Sequence, residues 1–259
     1  IEPGDVEGNV GRAVKKIGDA AAAGADCVAL PEIFDVGYFA FDAYARNARP
    51  IGGDTHRRIR ATAIEHDVAV LAGTVVEDLE ESAAAGETVP APEGLANTAV
   101  LFDGDGEQRL VYRKRHLFGY DSAESTLLTP GERLETTELG GHVIAVTTCY
   151  DLRFPELYRR LLDLDVTMVL VPSAWPYPRV EHWKLLPRAR AGENLMYVAA
   201  VNGSASFEDA SLVGRSAVYD PWGTPIAASD DAPTVVHAAC PPDRVSSVRE
   251  EFPALEDRR

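Results

Sequence analysis

The sequence predicts an α/β domain of packed layers, and two observations carry that reading. Short apolar runs alternate along the chain with segments whose apolar residues recur every three or four positions. Several of the short runs are also joined by tight turns. Runs of the first kind read as strands and those of the second as helices. Their alternation, with hairpins between, argues for a mixed sheet covered by helices. The 259 residues are 46% hydrophobic, enough to bury a sizeable core. Because α/β folds reach about 250 residues as one unit, a single domain over 1–259 is expected.

The opening Ile1-Glu2-Pro3-Gly4-Asp5 is turn-like. Val10, Ala13, Val14, Ile17 and Ala21 then predict a helix over 9–23, stopped at Gly24. Residues 27–30 read as a short buried strand ending at Pro31-Glu32, 55–65 as a helix and 68–76 as one strand. The stretch 77–94 is acidic, small and broken by Pro and Gly, so a solvated loop is expected there. Residues 95–102 alternate like a strand, Asp103-Gly104-Asp105-Gly106 signals a hairpin, and 108–112 is the return strand. A strand over 143–147 runs into Cys149, followed by a helix over 155–162 and a strand over 166–171. A helix over 181–194 and a strand over 195–201 come next. Residues 213–219, the Asp220-Pro221-Trp222-Gly223 turn and 225–228 make a late hairpin, and 235–239 a last strand.

Charge narrows the function. With 25 Lys+Arg against 41 Asp+Glu the net charge is -16. Such a surface repels phosphate backbones and anionic lipids, so neither a nucleic-acid nor a membrane partner is expected. No run of about 18 apolar residues exists to span a bilayer, and no basic-then-apolar leader opens the sequence. Three widely spread cysteines fit a reducing cytoplasm better than a disulfide scaffold. Only four lysines occur (Lys15, Lys16, Lys114, Lys184), and many acids with little Lys and abundant Ala suggest a halophilic protein.

Three reactive residues sit where strands end: Glu32, Lys114 and Cys149. In α/β folds, strand ends face the ligand crevice. A thiolate is a nucleophile, and a following helix N-terminus and a nearby cation would lower the Cys149 pKa. A carboxylate can take and return its proton, while a lysine and the Tyr150 N–H can hold an oxyanion. Taken singly, a buried Cys is an ordinary small hydrophobe and a Glu or Lys an ordinary surface residue. Cys27 and Cys240 read as inert core thiols. A zinc site from the three cysteines lacks a close ligand pair. A papain-like pairing of Cys149 with His116, His142 or His182 lacks its own local signature, and His142 reads as the exposed end of a hairpin.

Longer motifs surround these residues. Cys149-Tyr150-Asp151-Leu152-Arg153-Phe154-Pro155-Glu156 resembles the nucleophile motif of the nitrilase superfamily of carbon–nitrogen hydrolases. Leu30-Pro31-Glu32-Ile33-Phe34 resembles its glutamate motif and Tyr112-Arg113-Lys114-Arg115-His116-Leu117 its lysine motif, in the family's order. The likeness continues through His182-Trp183, Arg188-Ala189-Arg190-Ala191-Gly192-Glu193-Asn194, Tyr197-Val198 and Asp220-Pro221-Trp222-Gly223. It implies a four-layer αββα sandwich that pairs through its helical layer as a homodimer or a higher homo-oligomer, with no metal and no organic cofactor. It also implies Glu32 as general base, Lys114 as oxyanion stabiliser, Cys149 as acyl-enzyme nucleophile and Glu124 as a second glutamate of the site. Two departures stand out. The family has a short core strand before the Pro-Gly-Asp turn, so residues ahead of Ile1 are expected. The 77–94 stretch is also long for the family.

Within the superfamily, the nucleophile segment, His116-Leu117-Phe118 and Ala174-Trp175-Pro176-Tyr177-Pro178-Arg179 are most similar to the ω-amidase branch. That branch cleaves the terminal amide of small ω-amidodicarboxylates such as 2-oxoglutaramate or succinamate. Deaminated-glutathione amidase, N-carbamoyl amidase and nitrilase remain alternatives, as does a catalytically silent binding or scaffold member. An anionic substrate needs a cation in its pocket, for which Arg179 and Arg153 are candidates; Arg153 would otherwise brace the turn by pairing with Asp151 or Glu156. Phe34, Tyr38, Phe118 and Trp175 are candidate pocket walls.

Overall fold

The computed structural model describes residues 1–120 and 122–258. In chain order the elements are α1 (Val6–Ala22), β1 (Cys27–Ala29), α2 (Tyr44–Asn47), α3 (Asp54–His66), β2 (Ala69–Leu71), β3 (Val75–Asp78), α4 (Leu79–Ala84), β4 (Leu95–Phe102) and β5 (Gln108–Arg113). The second half holds α5 (Glu124–Leu127), β6 (Thr136–Leu139), β7 (His142–Val146), α6 (Pro155–Leu162), β8 (Met168–Ser173), α7 (Val180–Asn194), β9 (Tyr197–Asn202), β10 (Ala217–Tyr219), β11 (Pro225–Ala228) and α8 (Asp243–Glu251).

The strands form two sheets. In the first, β1 pairs with β2, β2 and β3 share one edge of β4, and β5 takes the other edge. The second has the order β11-β10-β9-β8-β7-β6, parallel across β7, β8 and β9 and antiparallel at both ends.

Strand alternation sorts the side chains into layers. Val70, Val100 and Val111 face outward onto Val10 and Ile17 of α1 and Ile59 of α3. Leu71, Ala99, Leu101, Leu110 and Tyr112 face inward and meet Ile144, Val146 and Leu170 of the second sheet. Ala145, Val169 and Val198 turn the other way, toward Leu157 and Leu161 of α6 and Trp183 of α7. The result is helix, sheet, sheet, helix: the four-layer sandwich that the motifs imply. No helix among the described residues is long and apolar enough to cross a membrane.

Four expectations need correction. The run 68–76 is two strands, broken at Ala72-Gly73-Thr74. Gly73 has φ +54, and a Cβ there would lie 2.1 Å from the Pro31 carbonyl oxygen. The break makes room for the turn that carries Glu32. Residues 77–94 are not one solvated loop: β3 runs to Asp78, whose side chain caps α4 by accepting from Glu81 N–H at 3.0 Å. The acids Glu80 and Glu81 lie in that helix's first turn, where the dipole favours them. Leu79 and Ser82 are buried, and irregular chain is confined to 85–94.

Residues 235–239 form no strand: nearly all of them lie exposed, so pairing would bury too little apolar surface to offset its ordering. His142 is buried, not at an exposed hairpin end. The C-terminal segment covers it, its Nε2 lying 2.7 Å from the Cys240 carbonyl oxygen and its Nδ1 3.1 Å from Thr167 Oγ1. Cys240 therefore ends no strand, and both it and Cys27 are half-buried. Burial pushes the Cys27 thiol up to about 12 and that of Cys240 up to about 11.

Candidate active site

Glu32, Lys114, Glu124 and Cys149 come from four separate segments and meet at one end of the inter-sheet layer. Glu32 follows β1 on a turn held from both sides. Its own N–H reaches Ser173 O at 3.3 Å, and the next N–H, of Ile33, donates to Thr74 Oγ1 at 2.8 Å. Ile33 sits at φ +42. A β-branched residue there is strained, a state of order 1–3 kcal/mol that persists only where the surroundings enforce it. The Glu32 side chain is fully buried, and its Oε2 accepts from Ala174 N–H at 2.8 Å.

Lys114 directly follows β5, pointing between the sheets like Tyr112 two residues earlier. Gly131 permits this ending. Its N–H donates to Lys114 O at 2.9 Å, and a Cβ there would lie 2.1 Å from Arg113 O. The Lys114 Nζ donates to Glu32 Oε1 at 2.8 Å and to Glu124 Oε1 and Oε2 at 2.8 and 2.9 Å. Glu124 opens the single turn of α5. Its Oε2 also accepts from Tyr38 Oη at 2.9 Å and Phe118 N–H at 2.7 Å. Tyr38 is thus buried among the polar groups, with Lys114 Nζ 5.4 Å from its ring centre.

Two carboxylates and one ammonium share a fully buried space, and that imbalance sets the electrostatics. Burial works against the Lys114 ammonium, but Glu124 and Glu32 outweigh it and hold its pKa well above the usual lysine range. Burial, reinforced by Glu124, raises Glu32 against the pull of Lys114. Burial, then the negative Glu32 beside it, pushes the Cys149 thiol well up, with Lys114 opposing. The expected lowering of the Cys149 pKa is therefore reversed. The segment after it is a 3-10 turn over Cys149–Arg153 and not the start of a long helix, and the effect of the Glu32 charge exceeds that of Lys114. Cys149 rests as a thiol beside the Glu32 carboxyl.

Cys149 has φ +46 and opens that turn. The turn's own bonds run from Asp151 N–H to Thr148 O and from Phe154 N–H to Asp151 O, leaving Tyr150 N–H outside the pattern. Asp151, which the sequence offers only as a possible partner of Arg153, is a hub. Fully buried, its Oδ2 accepts from Tyr112 Oη at 2.6 Å and Thr148 N–H at 2.9 Å; its Oδ1 accepts from His116 N–H at 3.0 Å and lies 2.6 Å from His116 Nδ1. Tyr112 and His116 stand two residues either side of Lys114, so one carboxylate ties the nucleophile turn to the lysine segment. Arg190 of α7 braces the turn from behind, donating to Leu152 O at 2.8 and 3.0 Å.

Asn97 was also missed. The signal was an amide inside the apolar run Leu95–Phe102. Its Nδ2 donates to Glu32 Oε1 at 2.8 Å and to Glu124 Oε1 at 3.2 Å.

Around the Cys149–Arg153 turn the side chains are aromatic and cationic. Phe118 and Tyr150 meet edge to face at 5.1 Å, and Arg179 lies 5.3 Å from the Phe118 ring centre. Arg153 lies 5.0 Å from the Trp175 ring and 5.7 Å from that of Tyr150, with its Nη2 3.1 Å from His182 Nδ1. Trp175 is buried and donates its Nε1–H to Arg179 O at 2.9 Å. Arg153 does not pair with Asp151, which is saturated by other donors, nor with Glu156. Neither arginine forms an ion pair among the described residues. Phe34 packs instead in the outer core with Val10 and Ile59, away from this wall. No group of three or more His, Cys, Asp and Glu able to hold a metal occurs among the described residues.

Comparison with known proteins follows the same lines. The carbon–nitrogen hydrolase family model matches residues 1–250. A 2-oxoglutaramate amidase of Paenarthrobacter nicotinovorans is 33% identical over 239 residues, covering 91% of this chain and 79% of the relative. An omega-amidase of Xenopus tropicalis is 33% identical over 260 residues, covering 97% and 89%. Among solved structures, an amidase from Nesterenkonia sp. AN1, with acrylamide added at its active-site cysteine, superposes with a TM-score of 0.81 at 25% identity, covering 98% of this chain and 95% of that one.

Proposed function

This chain belongs to the carbon–nitrogen hydrolase family, and from that premise we propose that it hydrolyses the terminal amide of a small ω-amidodicarboxylate, of the 2-oxoglutaramate or succinamate kind. The products are a carboxylate and ammonia. One observation carries the substrate class: in a chain of net charge -16, two arginines at the nucleophile turn stack on aromatic rings and pair with no carboxylate among the described residues. An anionic tail of the substrate would supply the missing partner. The relatives named for 2-oxoglutaramate and ω-amides support the same class.

The reaction runs through a thioester. Glu32 takes the Cys149 thiol proton as Sγ attacks the amide carbon, so the thiolate exists only when it is used. The oxyanion falls to Lys114 Nζ and the Tyr150 N–H. All three Nζ hydrogens are engaged at rest, one by Glu32 and two by Glu124. Glu124 therefore gives up one of its two as the oxyanion forms. Glu32 passes its proton to the amide nitrogen, the C–N bond breaks and ammonia leaves. Water then enters, loses a proton to Glu32 and attacks the thioester. The C–S bond breaks and Glu32 returns the proton to Cys149.

Ammonia release from succinamate, 2-oxoglutaramate, deaminated glutathione, N-carbamoyl amino acids, an aliphatic amide and a nitrile tests the reading, with Cys149→Ala as control. Turnover selective for the first two is expected. Selective turnover of a neutral amide or the nitrile overturns the substrate class. The acidic, lysine-poor composition supports a salt-rich cytoplasm as working medium, and the family likeness supports a homodimer through the outer helices. Activity against KCl concentration and sedimentation velocity test these two points.

A further inference from the structure

Asn97 is used by no step above, yet it is the one amide side chain that touches both carboxylates. It stands on β4, pointing into the inter-sheet layer, and is fully buried. Its backbone carbonyl accepts from Lys114 N–H at 2.9 Å, so amide and ammonium leave adjacent strands side by side. The two Nδ2 hydrogens divide between Glu32 and Glu124. Among the described residues its Oδ1 has no partner. Those neighbours fix the amide's orientation: turned over, it would set an acceptor against two carboxylates. A buried acceptor without a donor is costly, so the site keeps Asn97 for what its NH₂ group does.

What it does follows from counting donors. Two carboxylates sharing a dry site resist double ionisation. One ammonium has three hydrogens, and Glu124 takes two of them. Glu32 Oε1 receives the third, and Asn97 donates a second hydrogen bond to that oxygen. The charges and titratable groups facing Glu32 are Lys114 from the end of β5, Glu124 from α5, Cys149 from the nucleophile turn, and Tyr38 and Tyr44 from the stretch between β1 and α3. Of these only Lys114 favours the carboxylate form by charge.

We propose that Asn97 is a positioning residue that keeps Glu32 ionised and aimed in the resting enzyme, by donating to both glutamates the hydrogen bonds that a single lysine cannot supply. This rests on the reading of Glu32 as the base. Hydrogen bonds to a charged form favour that form. Losing the amide therefore raises the pH at which Glu32 gives up its proton, and Glu32 then stays protonated, and useless as a base, to higher pH.

The test is the rate of Cys149 alkylation by iodoacetamide, itself a small carboxamide, followed on the Cys149 peptide by mass from pH 5 to 10. It needs no knowledge of the natural substrate. In Asn97→Leu the acid limb should move up by about 1–2 pH units, from the usual worth of a hydrogen bond to a charged group. The rate should return to within about threefold of the parent above that limb. Asn97→Asp, nearly the same shape, places a third carboxylate in the cluster and should move the limb further; it also serves if the Leu variant does not fold. An even loss of rate at every pH, or an unmoved limb in the folded variants, overturns the proposal. Glu32→Gln separates the two readings. If it too keeps the acid limb, Glu32 is not the base. If it abolishes the limb while Asn97→Asp leaves it unmoved, Asn97 alone is misread.

Discussion

Neighbouring residues on β4 and β5 carry two polar clusters on opposite faces of one sheet. On the inner face, Asn97 and Lys114 meet two glutamates. On the outer face, Thr98 and Arg113, cross-strand partners, meet a single carboxylate, Glu77, and Arg113 also donates to Thr88 O at 2.9 Å. There Arg113 Nε donates to Glu77 Oε2 at 2.6 Å and Nη2 to Oε1 at 2.7 Å, while Thr98 Oγ1 adds a bond to Oε2 at 2.6 Å. One cation faces one anion, and both carboxylate oxygens are filled by a planar fork. The inner cluster has two anions for one cation and a thiol alongside. A closed pair has no reason to give or take a proton, whereas the open cluster does. The difference between a structural and a chemical site is here a difference of one charge.

The largest effects should come from the open cluster. Cys149→Ala should reduce ammonia release to the background rate, and Glu32→Gln should cost about 10²–10⁴-fold in kcat. Both should unfold near the parent temperature. Calorimetry showing either variant badly destabilised would mean that the inner cluster holds the fold as much as the outer one.

The closed cluster should behave in the opposite way. Glu77→Leu strands the Arg113 guanidinium, whose side chain is only 10% exposed. Breaking a buried pair costs about 3–5 kcal/mol, to be read from urea unfolding. Turnover per folded molecule should stay within a few-fold. A selective loss of kcat with little loss of stability would show that Arg113 acts through Lys114, and the comparison would collapse.

Smaller effects are expected at the site's edge. Arg179→Ala should lower the preference for succinamate over a neutral amide by about tenfold or more, the worth of a charge-assisted hydrogen bond. An unchanged ratio would take Arg179 out of the pocket.

How much of this was legible beforehand follows the same division. Glu32, Lys114 and Cys149 each end an apolar run, so their positions at strand ends could be read from the pattern. The alternating run Leu95–Phe102 reveals a strand but not which face is inner, and so hides that Asn97 looks inward and Thr98 outward. The break in 68–76 was invisible because Ala72 and Gly73 are as apolar as strand residues; what decides it is the approach of Pro31, 42 residues earlier than Gly73. Composition misled at 77–94, where acids that suggest solvent in fact favour the first turn of α4. At Cys149 the local pattern of strand end and following helix misled, because burial and Glu32, remote in sequence, raise the thiol.

The subtlest test lies on the outer side, at the start of α3, where two buried groups work against each other. Burial lowers His56 to about 4 and raises Asp35 to about 6. An unfolded histidine takes up its proton near pH 6.5, well before the folded one does. Folded stability is therefore lost to His56 as pH falls from about 6.5 toward 4. Asp35 runs the other way: the unfolded carboxyl loses its proton near 3.9, the folded one only near 6, so folded stability is lost as pH rises through that window. In the parent the two largely cancel. Asp35→Asn should expose the histidine and make stability fall toward pH 4 relative to the parent. His56→Leu should expose the aspartate and make stability fall toward pH 6. Opposite slopes in urea midpoints between pH 4 and 6.5 are expected. Parallel slopes would mean that one of the two groups is hydrated in the folded state, and that this region is less dry than the inner cluster it is set against.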